Sequence, residues 1–486
     1  MQELGSILNA INPLEVVGDI NKEISNLVID SRKAAQGSLF FAWVGTQTDG
    51  HQYIDAAIER GAIAVVCERI PDEPNEAVTY LKVENSMAIV GAVASAWYQY
   101  PSRQMKVVGV TGTNGKTSIC TLLFDLFKNL GYKTGLLSTV ENKINDRIIP
   151  STHTTPDPVS IQALLHEMAE SGCDYVFMEV SSHAIHQNRI GGIEFTGGVF
   201  TNISRDHLDY HKTFKEYILA KKAFFDQLSK HAFALVNVDD KNGRVMVQNC
   251  AASIQEFSLE RVAAFRGKVI ANTLDGLEMQ INGMDFHSPM VGVYNGSNLL
   301  AAYATAILLE QEATEVLTVL SGLKGAKGRF EVYKGADGTK AVVDYAHTPD
   351  ALENVLQAII DANASNAKVW TVVGCGGDRD AGKRPQMAKI AADYSGQVIL
   401  TSDNPRSEDP EDIIKDMLQG VQADQVNRVL AITDRAMAIK TAFQFSAAGD
   451  IILVAGKGHE NYQEIKGKRI HFDDAEEIEK HLKNNH

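Results

Sequence analysis

The chain has 486 residues, which at ~150 residues per domain corresponds to about three domains and excludes a single small module. Its 44% hydrophobic and 22% charged residues are typical of a globular protein and exclude collagen-like, coiled-coil and disordered chains. The net charge of −15, from 61 acidic and 46 basic residues, argues against a general binder of nucleic acids or anionic membranes. An anionic ligand therefore needs a locally positive pocket.

The cysteines and the apolar segments predict a cytoplasmic protein. Widely spaced cysteines form no disulfide framework of the kind found in secreted domains. Residues 1–17 lack the basic and apolar regions of a signal peptide, and the longest apolar stretch, residues 88–98, is far shorter than the ~20 residues that cross a membrane. We expect neither a membrane nor a nucleic-acid partner. The five cysteines are Cys67, Cys120, Cys173, Cys250 and Cys375.

The first hundred residues predict a separate domain that ends near residue 103. Short strands are expected at 38–44 and 62–67, and helices at 53–60 and 88–98. A segment rich in Gly and Lys at 322–329 suggests a second boundary near residue 332. The predicted domains are therefore residues 1–103, 104–331 and 332–486.

Beyond residue 100, apolar β-type runs alternate with amphipathic helical runs. This alternation predicts an α/β fold with mainly parallel sheets. Polar clusters follow most of the strands, and open α/β sheets bind ligands at the carboxyl ends of their strands. The strands are predicted at residues 107–110, 175–180, 198–203, 342–345, 369–373, 398–401 and 451–454.

Residues 106–117, Lys-Val-Val-Gly-Val-Thr-Gly-Thr-Asn-Gly-Lys-Thr, are the strongest single signal in the chain. A β run, a glycine-containing loop and an amphipathic helix follow one another, as in a phosphate-binding P-loop. Lys116 can neutralise phosphate charge, and the Thr117 hydroxyl can bind Mg²⁺. The general pattern has Gly at position 110, where this chain has Val.

A P-loop is shared by switch GTPases, motor ATPases and kinases, so other motifs must decide the reaction. Residues 142–145, Asn-Lys-Ile-Asn, lack the Asp of a guanine-binding motif. Arg379 stands where a dinucleotide fingerprint needs its third glycine. His459 and Glu460 lack the second His of a zinc-protease helix, because Gln463 takes its place.

Two further residues suggest a charged centre. Glu179 ends a strand among apolar neighbours, where an unpaired carboxylate is costly unless it meets a cation, and a Mg²⁺ ligand is a candidate role. Lys221 lies in the apolar stripe of a helix over 214–228, whereas Lys215 and Lys222 lie off that stripe. A lysine there either extends its amine to solvent or has its pKa lowered by burial, and a neutral amine can react with CO₂ to form an anionic carbamate.

Residues 204–211, Ser-Arg-Asp-His-Leu-Asp-Tyr-His, hold two His and two Asp. That density keeps a metal-dependent phosphohydrolase open as a second class of function. A non-enzymatic P-loop switch or binding module is the third class.

Taken together, the motifs resemble those of the Mur ligases, the ATP-dependent amide-forming enzymes of peptidoglycan precursor synthesis. The resemblance extends over nearly the whole chain, and the motifs occur in the family's order. They are residues 30–32, 112–117, 154–156, 179–183, 202–207, 294–298, 328–329, 344–347, 403–406 and 456–460. The family's P-loop likewise lacks the earlier glycine.

The resemblance implies an α/β protein of three domains: a UDP-binding domain, a central P-loop mononucleotide-binding domain and a Rossmann-like domain. It also implies a ligase that phosphorylates the D-Glu carboxylate of UDP-N-acetylmuramoyl-L-Ala-D-Glu with ATP. An amine then attacks the acyl phosphate. The expected chain is a cytoplasmic monomer that uses two Mg²⁺ ions.

The same resemblance assigns catalytic, metal and nucleotide residues. Thr117 and Glu179 are expected at one Mg²⁺, and His207 and carbamylated Lys221 at the second. The expected catalytic set is Lys116, Glu179, His207 and Lys221. The residues expected at ATP are Gly112, Thr113, Asn114, Gly115, Lys116, Thr117, Ser118, Asn298, Arg329, Asp344 and His347.

The remaining assignments concern the other two substrates. Residues 403–406, Asp-Asn-Pro-Arg, resemble those of the meso-diaminopimelate-adding members, and a guanidinium can hold the second carboxylate of that amino acid. An L-lysine-adding ligase and a folylpolyglutamate synthetase-like ligase remain alternatives. The residues expected at diaminopimelate are Arg379, Asp403, Asn404, Pro405, Arg406, Gly456 and Glu460. Those expected at the UDP-muramoyl peptide are Ser31, His51, Thr154, Thr155, Ser181, Gln187 and Arg189.

Overall fold

The structure is a computed structural model that describes residues 1–45, 48–149, 155–206, 208–363, 365 and 367–484. The chain forms two compact units, Met1–Glu256 and Phe257–His486. In the described part of the chain, no helix is both long enough and apolar enough to cross a membrane.

The amino-terminal part of the first unit is a five-stranded sheet with helices against its faces. In spatial order its strands are Glu15–Val17, Thr79–Lys82, Ala62–Cys67, Ser38–Phe41 and Asn26–Val28. Its helices are Leu4–Ile11, Ile54–Glu59 and Ser86–Trp97, with short 3-10 turns at Ser31–Lys33, Gly50–Tyr53 and Pro101–Arg103, and Gln2–Glu3 pairs separately with Glu23–Ile24.

The larger part of the first unit is built on parallel strands. The strand Lys106–Thr111 lies between Tyr175–Glu179 and Gly197–Phe200 and runs parallel to both. Its polar continuation therefore emerges at the carboxyl edge of the sheet, where open α/β sheets bind ligands. The other strands are Thr134–Leu137, Asn142–Ile144, Arg147–Ile149, Phe233–Asn237 and Ser253–Ser258, and the helices are Lys116–Asn129, Pro158–Glu170, Ser182–His186, Leu208–His211, Phe214–Asp226 and Gly243–Met246.

The second unit begins with an antiparallel meander, Phe265–Thr273, Gly276–Ile281 and Met284–Ser288. The sequence did not predict it, because polar residues stand between the apolar ones and these strands lack the continuous apolar runs that marked the other strands. Phe257 and Ser258 pair with its first strand. Two helices follow, Val293–Leu308 and Ala313–Leu320.

A six-stranded sheet completes the second unit. Its strand order is Glu331–Lys334, Lys340–Asp344, Ile451–Ala455, Val369–Cys375, Gln397–Ser402 and Val429–Ala431, and all pairs except the first are parallel. The helices are Pro349–Ala362, Lys383–Tyr394, Pro410–Leu418, Arg435–Phe445 and Asp474–Asn484, with a 3-10 turn at Val426–Arg428 and a hairpin of Tyr462–Ile465 and Lys468–His471.

All seven strands predicted beyond residue 100 are present, with ends shifted by a few residues. The strand predicted at 198–203 ends at Phe200, because the chain there turns towards the P-loop: the Thr201 hydroxyl donates to the carbonyl oxygen of Asn114 at 2.6 Å. The strand predicted at 38–44 ends at Phe41. The helix predicted at 88–98 begins earlier, at Ser86, where the Asn85 side chain caps it.

Candidate active site

The P-loop lies between the strand Lys106–Thr111 and the helix Lys116–Asn129, as the sequence predicts. Gly112 has φ +152°, and a Cβ there would lie 1.8 Å from the Thr201 hydroxyl oxygen, so this turn requires glycine. Asn202 holds the loop from the neighbouring strand end: its carbonyl accepts from the Thr113 amide at 2.8 Å. The loop thus brings backbone amides and a helix amino terminus to one place, which is an anion-binding arrangement.

The amine of Lys116 folds back over this loop. It donates to the carbonyl oxygens of Gly112 at 2.9 Å and Thr113 at 2.7 Å. A cation therefore stands at the amino end of the helix, where a phosphate group would meet it. Val110, the departure from the general P-loop pattern, is fully buried within the strand.

Glu179 ends the strand beside the P-loop strand, and its side chain is 1% exposed. One carboxylate oxygen accepts from the backbone amide of Thr139 at 2.9 Å and from its hydroxyl at 3.0 Å. The Thr139 hydroxyl also lies 3.1 Å from that of Thr117. The second carboxylate oxygen is buried and has no hydrogen-bond partner among the described residues. A buried carboxylate beside a P-loop hydroxyl fits a hard divalent cation.

Lys221 lies on the helix Phe214–Asp226, which begins with a capping box formed by Thr213 and Glu216. Its side chain is 1% exposed, and its amine donates to the carbonyl oxygen of Gly112 at 2.8 Å. Burial, reinforced by the nearby ammonium of Lys116, holds the pKa of this amine well below its usual value.

The predicted contrast between Lys221 and its neighbour holds only in part. Lys222 is also buried, but its amine pairs with Asp226 one turn further along the helix at 2.5 Å. Lys222 is thus neutralised within its own helix, whereas Lys221 extends to the P-loop.

A second polar group lies next to Glu179. The Thr155 hydroxyl lies 3.3 Å from the Ser181 hydroxyl and donates to the carbonyl oxygen of Glu179 at 3.2 Å. Arg189 donates to the Thr155 carbonyl at 2.7 Å and, through two nitrogens, to the Gln187 side chain. Four of the predicted peptide-contacting residues are therefore brought together. Thr154 and His207, also predicted site residues, lie outside the described residues.

Gln187 and Arg189 also line a cavity of about 500 Å³, which is within the range of small-molecule sites. Its wall is mixed, with apolar and aromatic side chains and two cations. The lining residues are Ile29, Lys33, Trp43, Gly45, Met87, Val90, Asn142, Ile149, Pro156, Asp157, Pro158, Ser160, Leu164, Gln187 and Arg189.

The two residues predicted at the uridine end do not line this cavity. Ser31 lies in the 3-10 turn between the lining residues Ile29 and Lys33. His51 has both ring nitrogens engaged, one with the Asp49 carboxylate at 2.7 Å and one with the Glu68 amide at 3.0 Å. Sequence reasoning missed Lys33, although its position two residues from Ser31 was a signal.

In the second unit, the predicted nucleotide residues lie on separate elements. Asp344 ends a strand, is 7% exposed and accepts from the amides of Phe330 and Ala346, each at 2.7 Å. Burial raises the pKa of this carboxyl, against the opposing effect of Arg329. The guanidinium of Arg329 lies 4.6 Å above the Tyr345 ring, a cation–π contact.

The other two predicted nucleotide residues, Asn298 and His347, differ in their exposure to solvent. Asn298 is buried in the helix Val293–Leu308, where its amide donates to the Asn295 side chain at 3.0 Å. His347 is exposed and packs its ring 4.6 Å from that of Tyr345.

Residues 403–406 follow the strand Gln397–Ser402 and meet the loop after Ile451–Ala455. The Asn404 amide donates to Glu460 at 2.8 Å, and burial raises the pKa of that carboxyl. Arg406 has φ +53°, and its guanidinium donates to the Gly377 carbonyl at 2.7 Å. Arg379 is exposed on the adjacent loop. The structure thus places the predicted amino-acid-binding residues at the edge of this sheet where its parallel strands have their carboxyl ends.

Sequence reasoning missed two cations that support this edge. Lys457 is fully buried, and its amine contacts the Tyr462 carbonyl, Glu460 and Asn404 at 2.5, 3.3 and 3.4 Å. Arg435 is 1% exposed and pairs with the fully buried Asp474 at 2.7 Å. Lys457 lies within the motif 456–460, three residues from Glu460, but was assigned no role. No local pattern marks Arg435, because Asp474 lies on a different helix.

The fold and the loop define a P-loop nucleotide-binding protein with a second, Rossmann-like sheet. Comparison with protein families assigns residues 23–103 to the Mur ligase family, catalytic domain, residues 110–306 to the Mur ligase middle domain, and residues 328–458 to the Mur ligase, glutamate ligase domain. The chain belongs to the Mur ligase family, which confirms the resemblance seen in the motifs.

Several relatives carry the same name, UDP-N-acetylmuramoyl-L-alanyl-D-glutamate–2,6-diaminopimelate ligase. The protein of that name from Bacteroides thetaiotaomicron is 53% identical over 473 residues, covering 97% of this chain and 98% of the relative. That from Phocaeicola vulgatus is 52% identical over 474 residues, covering 98% of each. A solved structure of a ligase with this name is 35% identical, covers 98% of both chains and superposes with a TM-score of 0.71.

Proposed function

We propose that the protein is an ATP-dependent ligase that joins meso-diaminopimelate to UDP-N-acetylmuramoyl-L-Ala-D-Glu in peptidoglycan precursor synthesis. The observation that carries this proposal is the 53% identity, over 97% of the chain, to a ligase named for these two substrates. The arrangement of side chains in each unit supports it, substrate by substrate.

The P-loop supports binding of the ATP phosphates. Its amides and the helix amino terminus bind phosphate oxygens, and Lys116 offsets their charge. Gly112, Thr113, Asn114, Gly115, Thr117 and Ser118 complete this proposed set. In the second unit, Asn298, Arg329, Asp344 and His347 are proposed to contact the nucleoside.

Two divalent cations are proposed. Thr117 and Glu179 would hold the first, since one oxygen of Glu179 is buried without a hydrogen-bond partner in the described part of the chain. His207 and a carbamate on Lys221 would hold the second. Mg²⁺ bound there would offset negative charge on the transferring phosphoryl group and on the acceptor carboxylate.

Carbamylation of Lys221 is supported by its surroundings. The neutral amine adds to CO₂, forming an N–C bond and releasing one proton, and yields an anionic oxygen ligand. Burial and the charge of Lys116 both favour the neutral amine over the ammonium. The product would place a negative charge beside Lys116, which is electrostatically favourable.

The cavity in the first unit is the proposed site for the UDP-muramoyl part. Lys33 and Arg189 supply positive charge for a diphosphate or a carboxylate, and Trp43 supplies an aromatic face. Thr155 and Gln187 contact Arg189, and Ser181 contacts Thr155. These four residues are proposed to bind the peptide part, together with Thr154. Ser31 and His51 stay predicted contacts of the uridine end, and the hydrogen bonds of His51 favour a role in shaping the loop.

The amino-acid site is proposed at residues 403–406, Gly456, Glu460 and Arg379. Diaminopimelate has a carboxylate at each end, and L-lysine has one, so the guanidinium of Arg406 favours diaminopimelate. Glu460 and Asp403 would face the distal ammonium group. Arg379 would receive the carboxylate beside the attacking amine.

The proposed reaction proceeds in two steps. A D-Glu carboxylate oxygen attacks the γ-phosphorus of ATP, a new P–O bond forms, and the bond to the β-phosphate oxygen breaks to release ADP. The amine of diaminopimelate then attacks the acyl carbon. The tetrahedral intermediate loses inorganic phosphate and a proton, and an amide remains. Lys116 would stabilise the charge that develops on the phosphoryl oxygens.

We also propose a cytoplasmic, monomeric protein. All five cysteines are free thiols, which fits a reducing compartment. The proposed residues for all three substrates come from this one chain.

The test is ADP release from the protein with ATP, Mg²⁺ and UDP-muramoyl-dipeptide, plus either meso-diaminopimelate or L-lysine. The proposal expects release that depends on both other substrates and is faster with diaminopimelate. Faster release with lysine would identify the lysine-adding alternative. Release that is independent of the dipeptide would contradict the ligase and favour a phosphohydrolase or a P-loop switch.

A further inference from the structure

Arg406 is held in a conformation that is uncommon for arginine. Its φ of +53° lies in the left-handed region, which is unfavourable for residues other than glycine. Its backbone amide donates to the Glu464 carbonyl at 2.9 Å, and its own carbonyl accepts from the Lys466 amide at 2.6 Å. The surrounding structure therefore has to compensate for this backbone strain.

The guanidinium of Arg406 lies against a glycine loop. It donates to the Gly377 carbonyl at 2.7 Å, and the Gly377 amide donates to the Asn404 carbonyl at 2.9 Å. A Cβ on Gly377 would lie 2.0 Å from the carbonyl oxygen of Pro405. The two loops are thus in backbone contact, and the position of one determines the position of the other.

Asp378 and Ser407 clasp these loops next to Arg406. The Ser407 hydroxyl donates to the Asp378 carboxylate at 2.6 Å, and the Ser407 amide donates to it at 3.2 Å. The backbone amide of Asp378 in turn donates to the Glu408 carboxylate. Each loop therefore contributes both a donor and an acceptor to the clasp.

Glu408 is anchored in turn by a buried arginine. One terminal nitrogen of Arg384 lies 2.8 Å from each carboxylate oxygen of Glu408, and the other donates to Asp416 at 2.9 Å. The Arg384 side chain is 3% exposed. Because Arg384 and Asp416 lie on the helices Lys383–Tyr394 and Pro410–Leu418, the clasp is fixed to the rigid part of the domain.

We propose that Glu408, anchored by Arg384, is a positioning residue that sets the Arg406 guanidinium for the second carboxylate of the amino-acid substrate and so determines the preference for a diamino-dicarboxylic acid over L-lysine. This inference rests on the proposed function. Glu408 acts through Arg406, because its carboxylate holds the amide of Asp378 and thereby the loop on which the guanidinium lies.

The test compares Glu408→Gln with Glu411→Gln, a matched change of an exposed glutamate on the neighbouring helix. Steady-state rates give kcat and KM for diaminopimelate, L-lysine and ATP. We expect Glu408→Gln to lower the diaminopimelate-to-lysine ratio of kcat/KM about tenfold or more, with the KM for ATP unchanged. Glu411→Gln should keep the wild-type ratio. An unchanged ratio in Glu408→Gln, or an equal rise in KM for ATP and diaminopimelate, would overturn the inference.

A double variant separates positioning from a general structural effect. If Glu408 acts through Arg406, adding Glu408→Gln to Arg406→Ala should lower the ratio by no more than about twofold beyond Arg406→Ala alone. Additive losses would overturn the inference. Should Glu408→Gln fail to fold, Asp378→Asn makes the same test at an exposed carboxylate, with the same expected fall in the ratio.

The wild-type protein distinguishes this inference from the proposed function. Wild-type ADP release that does not require diaminopimelate or lysine would contradict both the proposed function and the positioning role of Glu408. Wild-type preference for diaminopimelate, retained by Glu408→Gln and by Asp378→Asn, would remove only the positioning role.

Discussion

The Lys221 amine donates a 2.8 Å hydrogen bond to the carbonyl oxygen of Gly112, the first glycine of the P-loop. This contact joins the helix Phe214–Asp226 to the loop proposed to bind phosphate. The lysine is buried, and its pKa is lowered by that burial and by Lys116. A structural lysine in this place would be costly, because an ammonium loses its hydration there. The proposed carbamylation would replace that ammonium with an anionic ligand for a cation.

Lys221→Ala is therefore expected to lower kcat about a hundredfold or more, since it removes a proposed anionic ligand from the phosphoryl-transfer site. Formate or acetate should restore part of the activity by occupying the vacated space. The measurement is the rate of ADP release with and without the added acid. Lys222→Ala is the matched control, because Lys222 is also buried but pairs with Asp226, and the activity of this variant should not respond to the acids.

A direct observation complements the rescue. Wild-type protein equilibrated with ¹³C-labelled bicarbonate should show one carbamate resonance that Lys221→Ala lacks. Failure of rescue together with the absence of this resonance in the wild type would contradict carbamylation.

Glu179→Gln tests the first proposed cation site. The amide keeps the shape of the side chain and an oxygen for the Thr139 donors, but it loses the charge on the buried oxygen that has no partner among the residues described. We expect kcat to fall about 10²- to 10³-fold and the Mg²⁺ concentration for half-maximal rate to rise. Titration of activity with Mg²⁺ measures both.

Glu170→Gln, at an exposed glutamate in the same unit, is the control for Glu179→Gln. It should leave the Mg²⁺ titration as in the wild type. A Glu179→Gln protein with normal Mg²⁺ dependence would show that this carboxylate has a structural role.

The sequence predicted the P-loop and the apolar-face position of Lys221 because their signals are local. A strand, a glycine loop and a helix are contiguous at residues 106–129, and the 3.6-residue spacing alone places Lys221 on the apolar face. Lys222 escaped prediction, since its burial depends on contacts made when the helix packs. Arg435 escaped it for the same reason, because its partner Asp474 is contributed by another helix. Lys457 lies within the motif 456–460, but its burial depends on contacts with Asn404 and Tyr462, which the sequence does not show.

Arg406→Ala tests the choice of amino acid. Loss of a bidentate contact with the second carboxylate should cost about 2–4 kcal/mol, or roughly 30- to 1000-fold in kcat/KM for diaminopimelate. L-Lysine has no such carboxylate, so its kcat/KM should change little, and so should the KM for ATP. Lys415→Ala, which removes an exposed cation paired with Asp412, is the control. Equal losses for ATP and diaminopimelate would contradict the assigned pocket.

His459 predicts a pH dependence of stability. Its ring packs 5.1 Å from that of Tyr345, and burial, with the charges of Arg329, Lys327 and Lys457, lowers its pKa to about 4. The folded protein therefore binds fewer protons at this residue than the unfolded chain between pH 6.5 and 4. Stability should fall as the pH falls through that window, by on the order of 2–3 kcal/mol from this residue.

His459→Asn removes this titration. The difference in unfolding free energy between pH 7 and pH 4.5, measured by urea denaturation, should be smaller for the variant than for the wild type. Carboxylates such as Glu460, whose pKa is raised by burial, have the opposite sign and contribute to both proteins, so the comparison isolates the imidazole. His231→Asn, at an exposed histidine of the first unit, should leave the pH dependence as in the wild type. Equal slopes for His459→Asn and the wild type would mean that the imidazole becomes protonated in the folded state at its ordinary pKa.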